Sequence, residues 1–170
     1  MSPTIERTDD PAFSFSFRFA PSPEHVGNVA RFVRELSQRY IPDADAISRL
    51  ELAAYELMEN IVKYTSQGLG EFRFQLEASG PGYRVVLGTE NHASTEHRRD
   101  LEKRMAALAS AADPIAHYDS EIAESARRPF GSGLGLVRIR AEGEMVVDHR
   151  IDGERVVVRV EAAFSGRDPS

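Results

Sequence analysis

No cysteine occurs among the 170 residues, and that absence removes several chemistries at once. A disulfide framework, a zinc–thiolate site and a cysteine nucleophile are all excluded. Long apolar runs are missing too, and none could cross a bilayer as a helix. The N-terminal stretch "MSPTIERTDD" has no apolar signal-peptide core, so a cytoplasmic location is the simplest expectation. Positive charge is in deficit. The 21 Lys and Arg face 27 Asp and Glu, a formal charge of −6, which argues against a nucleic-acid or anionic-membrane binder without excluding a local basic site. The five histidines have no Asp, Glu or His companions at zinc spacing, so no transition-metal site is expected. Ser94 and Ser132 have no base partner in the sequence, which leaves a hydrolase triad without support. There is no internal repeat and no low-complexity tract.

What remains is an ordinary globular composition, 41% hydrophobic and 28% charged, in a chain long enough for one domain with a real core. Residues 1–12 and 164–170 are polar and poor in packing residues, and are expected to be flexible ends around a single domain at 13–163. "FSFSFRF" alternates strictly, placing Phe13, Phe15, Phe17 and Phe19 on one face of a strand. A helix follows, with Ser22 as N-cap, Pro23 at its first position and Val26, Val29, Val33, Leu36 and Tyr40 as its apolar stripe. The next helix runs from roughly Asp45 to Tyr64 with Ile47, Leu50, Ala54, Leu57, Ile61 and Tyr64 facing inward. "EFRFQLEAS" and "YRVVLGT" read as strands joined at "GPG". Two helices are expected next. The first carries Leu101, Met105 and Leu108 inward, and the second is capped by Asp113 with Pro114 behind it. A glycine turn, a helix to about Gly143 and a hairpin turning at Asp-Gly close the chain. Helices and strands come in blocks, which predicts an α+β sandwich with helices on one sheet face.

The second helix, "ELAAYELMENIVKY", brings Glu56, Asn60 and Lys63 onto one line beside its apolar stripe. A carboxylate, an amide oxygen and an ammonium so arranged suit magnesium–phosphate chemistry. The amide oxygen of Asn60 can ligate Mg²⁺, the carboxylate of Glu56 can act as a base, and Lys63 can meet phosphate charge. The same spacing also suits a merely solvated helix face, the reading given to Glu51 and Glu59. "RRPFGSGLGLVRIRAEG" offers a second feature. A glycine turn opening a helix is an anion site by its free N–H groups and dipole. It is equally a tight turn that allows close packing. Arg127 and Arg128 before it can add phosphate charge or sit solvated at a helix end.

Together these stretches resemble the GHKL superfamily of gyrase, MutL and sensor histidine kinases. "YELMENIVKY" is similar to its N box and "GSGLGLVRIRA" to its second glycine box, in the right order across nearly the whole chain. The resemblance implies a two-layer α/β sandwich of the Bergerat ATPase type, with a mixed, mostly antiparallel sheet covered on one face by helices. It implies ATP and Mg²⁺ as cofactors, with Asn60 on the metal and Glu56 as catalytic base. Lys63, Gly131, Ser132, Gly133, Leu134 and Gly135 would lie around the phosphates, and residues of about 92–130 would form a lid. The Asp-x-Gly-x-Gly of the first glycine box is absent. "VVLGTENHAS" stands there instead and looks like the SiaB-type kinase subfamily, leaving Thr89, Glu90 or Asn91 to contact the base.

The small single domain is similar to the serine/threonine kinases of bacterial partner-switching systems. Its implied partner is a STAS-domain protein or a sigma factor, with no nucleic acid and no membrane, and a homodimer is plausible. A fold that sequesters such a partner without catalysis, and an ATP hydrolase acting as a switch, are the competing functions.

Overall fold

The computed structural model describes residues 13–127 and 133–166. Alternation makes the first strand, β1 (Phe13–Phe19), which half-buries Phe13, Phe15 and Phe17 and fully buries Phe19. It pairs antiparallel with β2 (Gln67–Ser79), setting Phe15 against Phe74, whose rings stack at 5.6 Å. Between them lie α1 (Glu24–Ser37) and α2 (Ala44–Tyr64). The helix α1 starts one residue later than the sequence suggests. Pro23 is already helical and takes the cap position, and Ser22 offers its carbonyl, not its hydroxyl, to the His25 N–H at 3.2 Å. The cap of α2 is the Asp43 carboxylate, which accepts from the N–H groups of Asp45 (2.8 Å) and Ala46 (3.3 Å). Its expected stripe is buried from Ile47 to Ile61, and only Tyr64 stays half-exposed.

β2 turns through Gly80 (φ +56°) and Pro81 into β3 (Gly82–His92). That strand runs three residues past the predicted end, because "ENH" continues to pair with β5. Two helices follow, α3 (Thr95–Ser110) and α4 (Pro114–Ser125); α4 has its predicted cap, Asp113, and α3 is capped by Ser94, which the sequence reading did not name. Met105 and Leu108 are buried, Leu101 is half-buried, and α4 buries none of its residues. The short α5 (Gly135–Ala141) then leads to β4 (Val146–Asp152) and β5 (Arg155–Ser165). Gly153, at φ +58°, is the first of the two residues linking these strands, the position where glycine is wanted. β5 continues through Ser165, two residues beyond the domain edge read from the sequence.

The sheet order is β1-β2-β3-β5-β4, and every pairing among the described residues is antiparallel, so the expected mixed sheet is a uniform one. Inward positions of the central strands (Phe72, Phe74, Leu76, Val85, Leu87, Val158 and Val160) meet α1, α2 and α5 in one continuous core. Outward positions carry charge, as in the bidentate Arg155–Glu90 pair at 2.6 and 2.7 Å. The two-layer α+β sandwich with helices on one face is therefore the observed fold.

Candidate functional site

The core runs out at one end of the sheet, and two adjoining clefts open there. The floor of the first comes from β3 and β5: Thr89 and Asn91 pair across to Val158 and Val156. Its walls are α2, α3 and α5, through Tyr64, Leu101 and Leu136, enclosing about 650 Å³ including the mouth. The second cleft is polar and lies between α2 and the start of α5. Glu56 and Lys63 line one side of it, and Gly133, Leu134, Gly135 and Arg138 the other. Asn60, Tyr64 and Gly133 line both clefts, so Asn60 stands at their junction.

The sequence-derived residues thus gather as the helix spacing requires, with two corrections. Glu90 faces the opposite side of the sheet, since strand residues alternate. There its carboxylate is bonded by the Arg155 guanidinium, which also holds it below the usual carboxylate range, and it lies away from the cleft. Glu59 is not a solvated bystander. It accepts from Lys63 Nζ at 2.8 Å and lines the second cleft, and this bond is the chief reason the Lys63 ammonium is raised above its ordinary value. Glu51 is likewise engaged, with Arg34 at 2.6 Å. Gly131, Ser132 and Arg128 lie outside the described residues, and Arg127 is an exposed residue just past α4.

Three contacts were not foreseen. Arg138 Nη1 donates to Glu56 Oε1 at 3.1 Å, and its Nε to Glu142 Oε2 at 2.9 Å. These carboxylates, Glu142 foremost, hold the Arg138 guanidinium above its ordinary value. Tyr118 of α4 closes the row, its phenol pushed up first by burial and then by Glu142. Arg104 of α3 donates to the Gly133 carbonyl at 2.5 Å. A signal for Arg138 did exist: it stands one helical turn beyond Gly135 and so faces the same way.

The two described glycines are needed for packing. Gly133 sits at φ +57°, and a Cβ there would fall 1.3 Å from Arg104 Nη1. A Cβ on Gly135 would come within 2.8 Å of Glu56 Oε2. One glycine admits Arg104 and the other admits Glu56. The helix behind them has seven residues, so its dipole is a small contribution. The cations Lys63, Arg104 and Arg138 supply the positive charge instead.

Among the described residues no group of three His, Asp or Glu is placed to hold a metal. Mg²⁺ needs no such cage. It keeps several waters and takes one or two protein oxygens beside phosphates, and the Asn60 amide at the junction fits that demand.

The profile of the histidine kinase-like ATPase domain matches residues 19–162. The chain belongs to that family. The two motifs had pointed to the same superfamily, and the nucleotide-binding fold is theirs. No curated protein matches the chain closely enough to count as a relative. Among solved structures, a chain in the crystal structure of the SiaB–SiaC complex from Pseudomonas aeruginosa is similar, with a TM-score of 0.60 and 14% identity over 92% of each chain. At that identity the likeness is one of fold. SiaB, whose type "VVLGTENHAS" resembles, is one of the two proteins in that complex. No helix among the described residues is long and apolar enough to cross a membrane.

Proposed function

We propose that the chain is an ATP-dependent protein serine/threonine kinase that phosphorylates a STAS-domain partner in a bacterial partner-switching pathway. The observation that carries this reading is the meeting of Glu56 and Asn60 with the Gly133–Gly135 turn, beside a cleft floored by Thr89 and Asn91. The nucleotide base enters the first cleft against Thr89 and Asn91. The phosphates lie in the second cleft, near Lys63, Gly133, Leu134 and Gly135, with Gly131 and Ser132 preceding them in the chain. Asn60 would hold Mg²⁺, which would supply charge neutralisation at the transferring phosphoryl group. Glu56 orients the acceptor hydroxyl and takes its proton. The hydroxyl oxygen bonds to the terminal phosphorus, and the bond to the ADP oxygen breaks. A STAS-type partner is supported by the family and by the fold shared with the SiaB–SiaC complex.

One observation favours the second reading, a binding module without catalysis. Glu56 is already engaged by Arg138, and a base that never leaves that ion pair would not serve. Calorimetry separates the possibilities. ATP should bind in a magnesium-dependent manner, and Asn60→Ala should lose that dependence. With a STAS-domain protein as acceptor, Glu56→Gln should then bind nucleotide normally and transfer at least about a hundredfold more slowly. Normal transfer by Glu56→Gln would remove Glu56 as base. Absence of binding at millimolar ATP would end the kinase reading.

A further inference from the structure

Two buried polar side chains stand on the floor of the first cleft with little to hold them. Thr89 is 4% exposed and Asn91 8%. They are two apart on β3, so both project toward the helices, over the apolar surface of Val158 and Val156. Thr89 makes no side-chain hydrogen bond among the described residues. The Asn91 amide reaches only the neighbouring His92 carbonyl, at 3.5 Å, the outer limit of a hydrogen bond. Their hydroxyl and amide are not sealed off: they open onto an apolar pocket walled by the Tyr64–His97 ring pair, with hydrogen-bonding capacity left over for a flat polar-edged ligand.

Their chemistry also says which edges they accept. A hydroxyl rotates to donate or accept, and an amide offers both functions and can turn over. No charged group lies with them on the floor. The pocket's charged residues, Asp100 and Arg104, come from α3, where Asp100 is exposed and Arg104 is bonded to Gly133. Nothing there of fixed sign can refuse an acceptor or a donor.

We propose that this pocket reads a purine base without distinguishing a 6-amino from a 6-oxo group, and that Asn91 makes it so. GTP and ITP then enter beside ATP. The inference rests on the nucleotide reading above and extends it. Against adenine, Asn91 Oδ1 accepts from the amino group while Nδ2 donates to a ring nitrogen. Against guanine or hypoxanthine the amide turns over, with Nδ2 donating to the 6-oxo oxygen and Oδ1 accepting from N1–H. The Thr89 hydroxyl follows in either case. A carboxylate at 91 would accept only, and would repel the 6-oxo edge.

The test is calorimetric titration of the full chain with the magnesium salts of ATP, GTP and ITP. The wild type should bind all three within about tenfold, since one good bidentate contact discriminates by roughly ten- to a hundredfold. Asn91→Asp loses the Nδ2 donor and so weakens both nucleotides, but it still accepts from a 6-amino group and meets a 6-oxo group only with acceptors, so it should raise the ATP:GTP preference by about tenfold or more. Circular dichroism checks its fold, and the wild-type comparison needs no variant. A wild type that binds ATP and refuses GTP by more than about a hundredfold overturns the proposal and leaves the nucleotide reading standing. A folded Asn91→Asp with an unchanged ratio also overturns it. No binding of any nucleotide overturns both.

Discussion

Glu56 is the residue on which the reading turns, and its neighbours set what it can do. It is 14% exposed, bonded to Arg138, and touched from the far side by the bare backbone of Gly135. A phosphate competes well with a carboxylate for a guanidinium. In the proposed kinase a bound nucleotide therefore draws Arg138 toward its phosphates, which frees Glu56. Arg138→Gln should weaken Mg–ATP binding by about tenfold, as loss of one charged hydrogen bond does, while Arg138→Lys recovers part of it. Unchanged affinity in a titration would mean that Arg138 never meets phosphate. The glycines give a paired contrast. Gly135→Ala meets the far end of the flexible Glu56 side chain and should leave stability within about 1 kcal/mol while slowing transfer. Gly133→Ala forces a Cβ into left-handed backbone and onto Arg104, and should cost about 1–2 kcal/mol from the backbone conformation alone. Urea midpoints of the two variants separate these outcomes.

Along α2, one element serves both core and site, and its two faces answer differently to alanine. Leu57 is fully buried, so Leu57→Ala should cost about 2–5 kcal/mol. Asn60 is half-exposed on the flank facing the clefts, and its side chain makes no hydrogen bond among the described residues. Alanine is the better helix former by roughly 0.5 kcal/mol, so Asn60→Ala should unfold at slightly higher urea while losing magnesium-dependent binding. A destabilised Asn60→Ala would make the residue structural. This helix was the most legible part of the sequence. Its stripe, and the line of Glu56, Asn60 and Lys63, follow from a period of 3.6 alone. The partners that approach from other elements were not legible. Arg138 is 82 residues from Glu56, and Arg104 is 29 from Gly133. The end of β3 was misread for a physical reason as well. Its inward residues, Thr89 and Asn91, face a cavity, so the alternation that marks a strand carries no apolar signal there.

At the scale of the whole molecule, five strands receive helices on one face only, and the other face meets water through charge. Arg84 bridges Glu77 and Glu161, Arg155 grips Glu90, and Arg73 reaches Glu71. Pairs as exposed as these contribute little one by one, and salt screens them. Their common consequence is a dependence on pH. Arg155 holds the Glu90 carboxyl below the ordinary value of 4.5, and Arg84 does the same to Glu161. A carboxyl depressed in the folded state contributes stability that is present above its unfolded value. As pH falls through that value the unfolded chain binds protons first, and the contribution is lost as pH passes down through the folded value. The molecule should therefore hold its urea midpoint from neutrality to about pH 5 and lose it steeply below. Glu90→Gln combined with Glu161→Gln should begin with a slightly lower midpoint at neutral pH and then decline less on acidification. It should also be less sensitive to added salt, because the screened attractions are gone. An acid limb as steep in the double variant as in the wild type would move the acid sensitivity off this face.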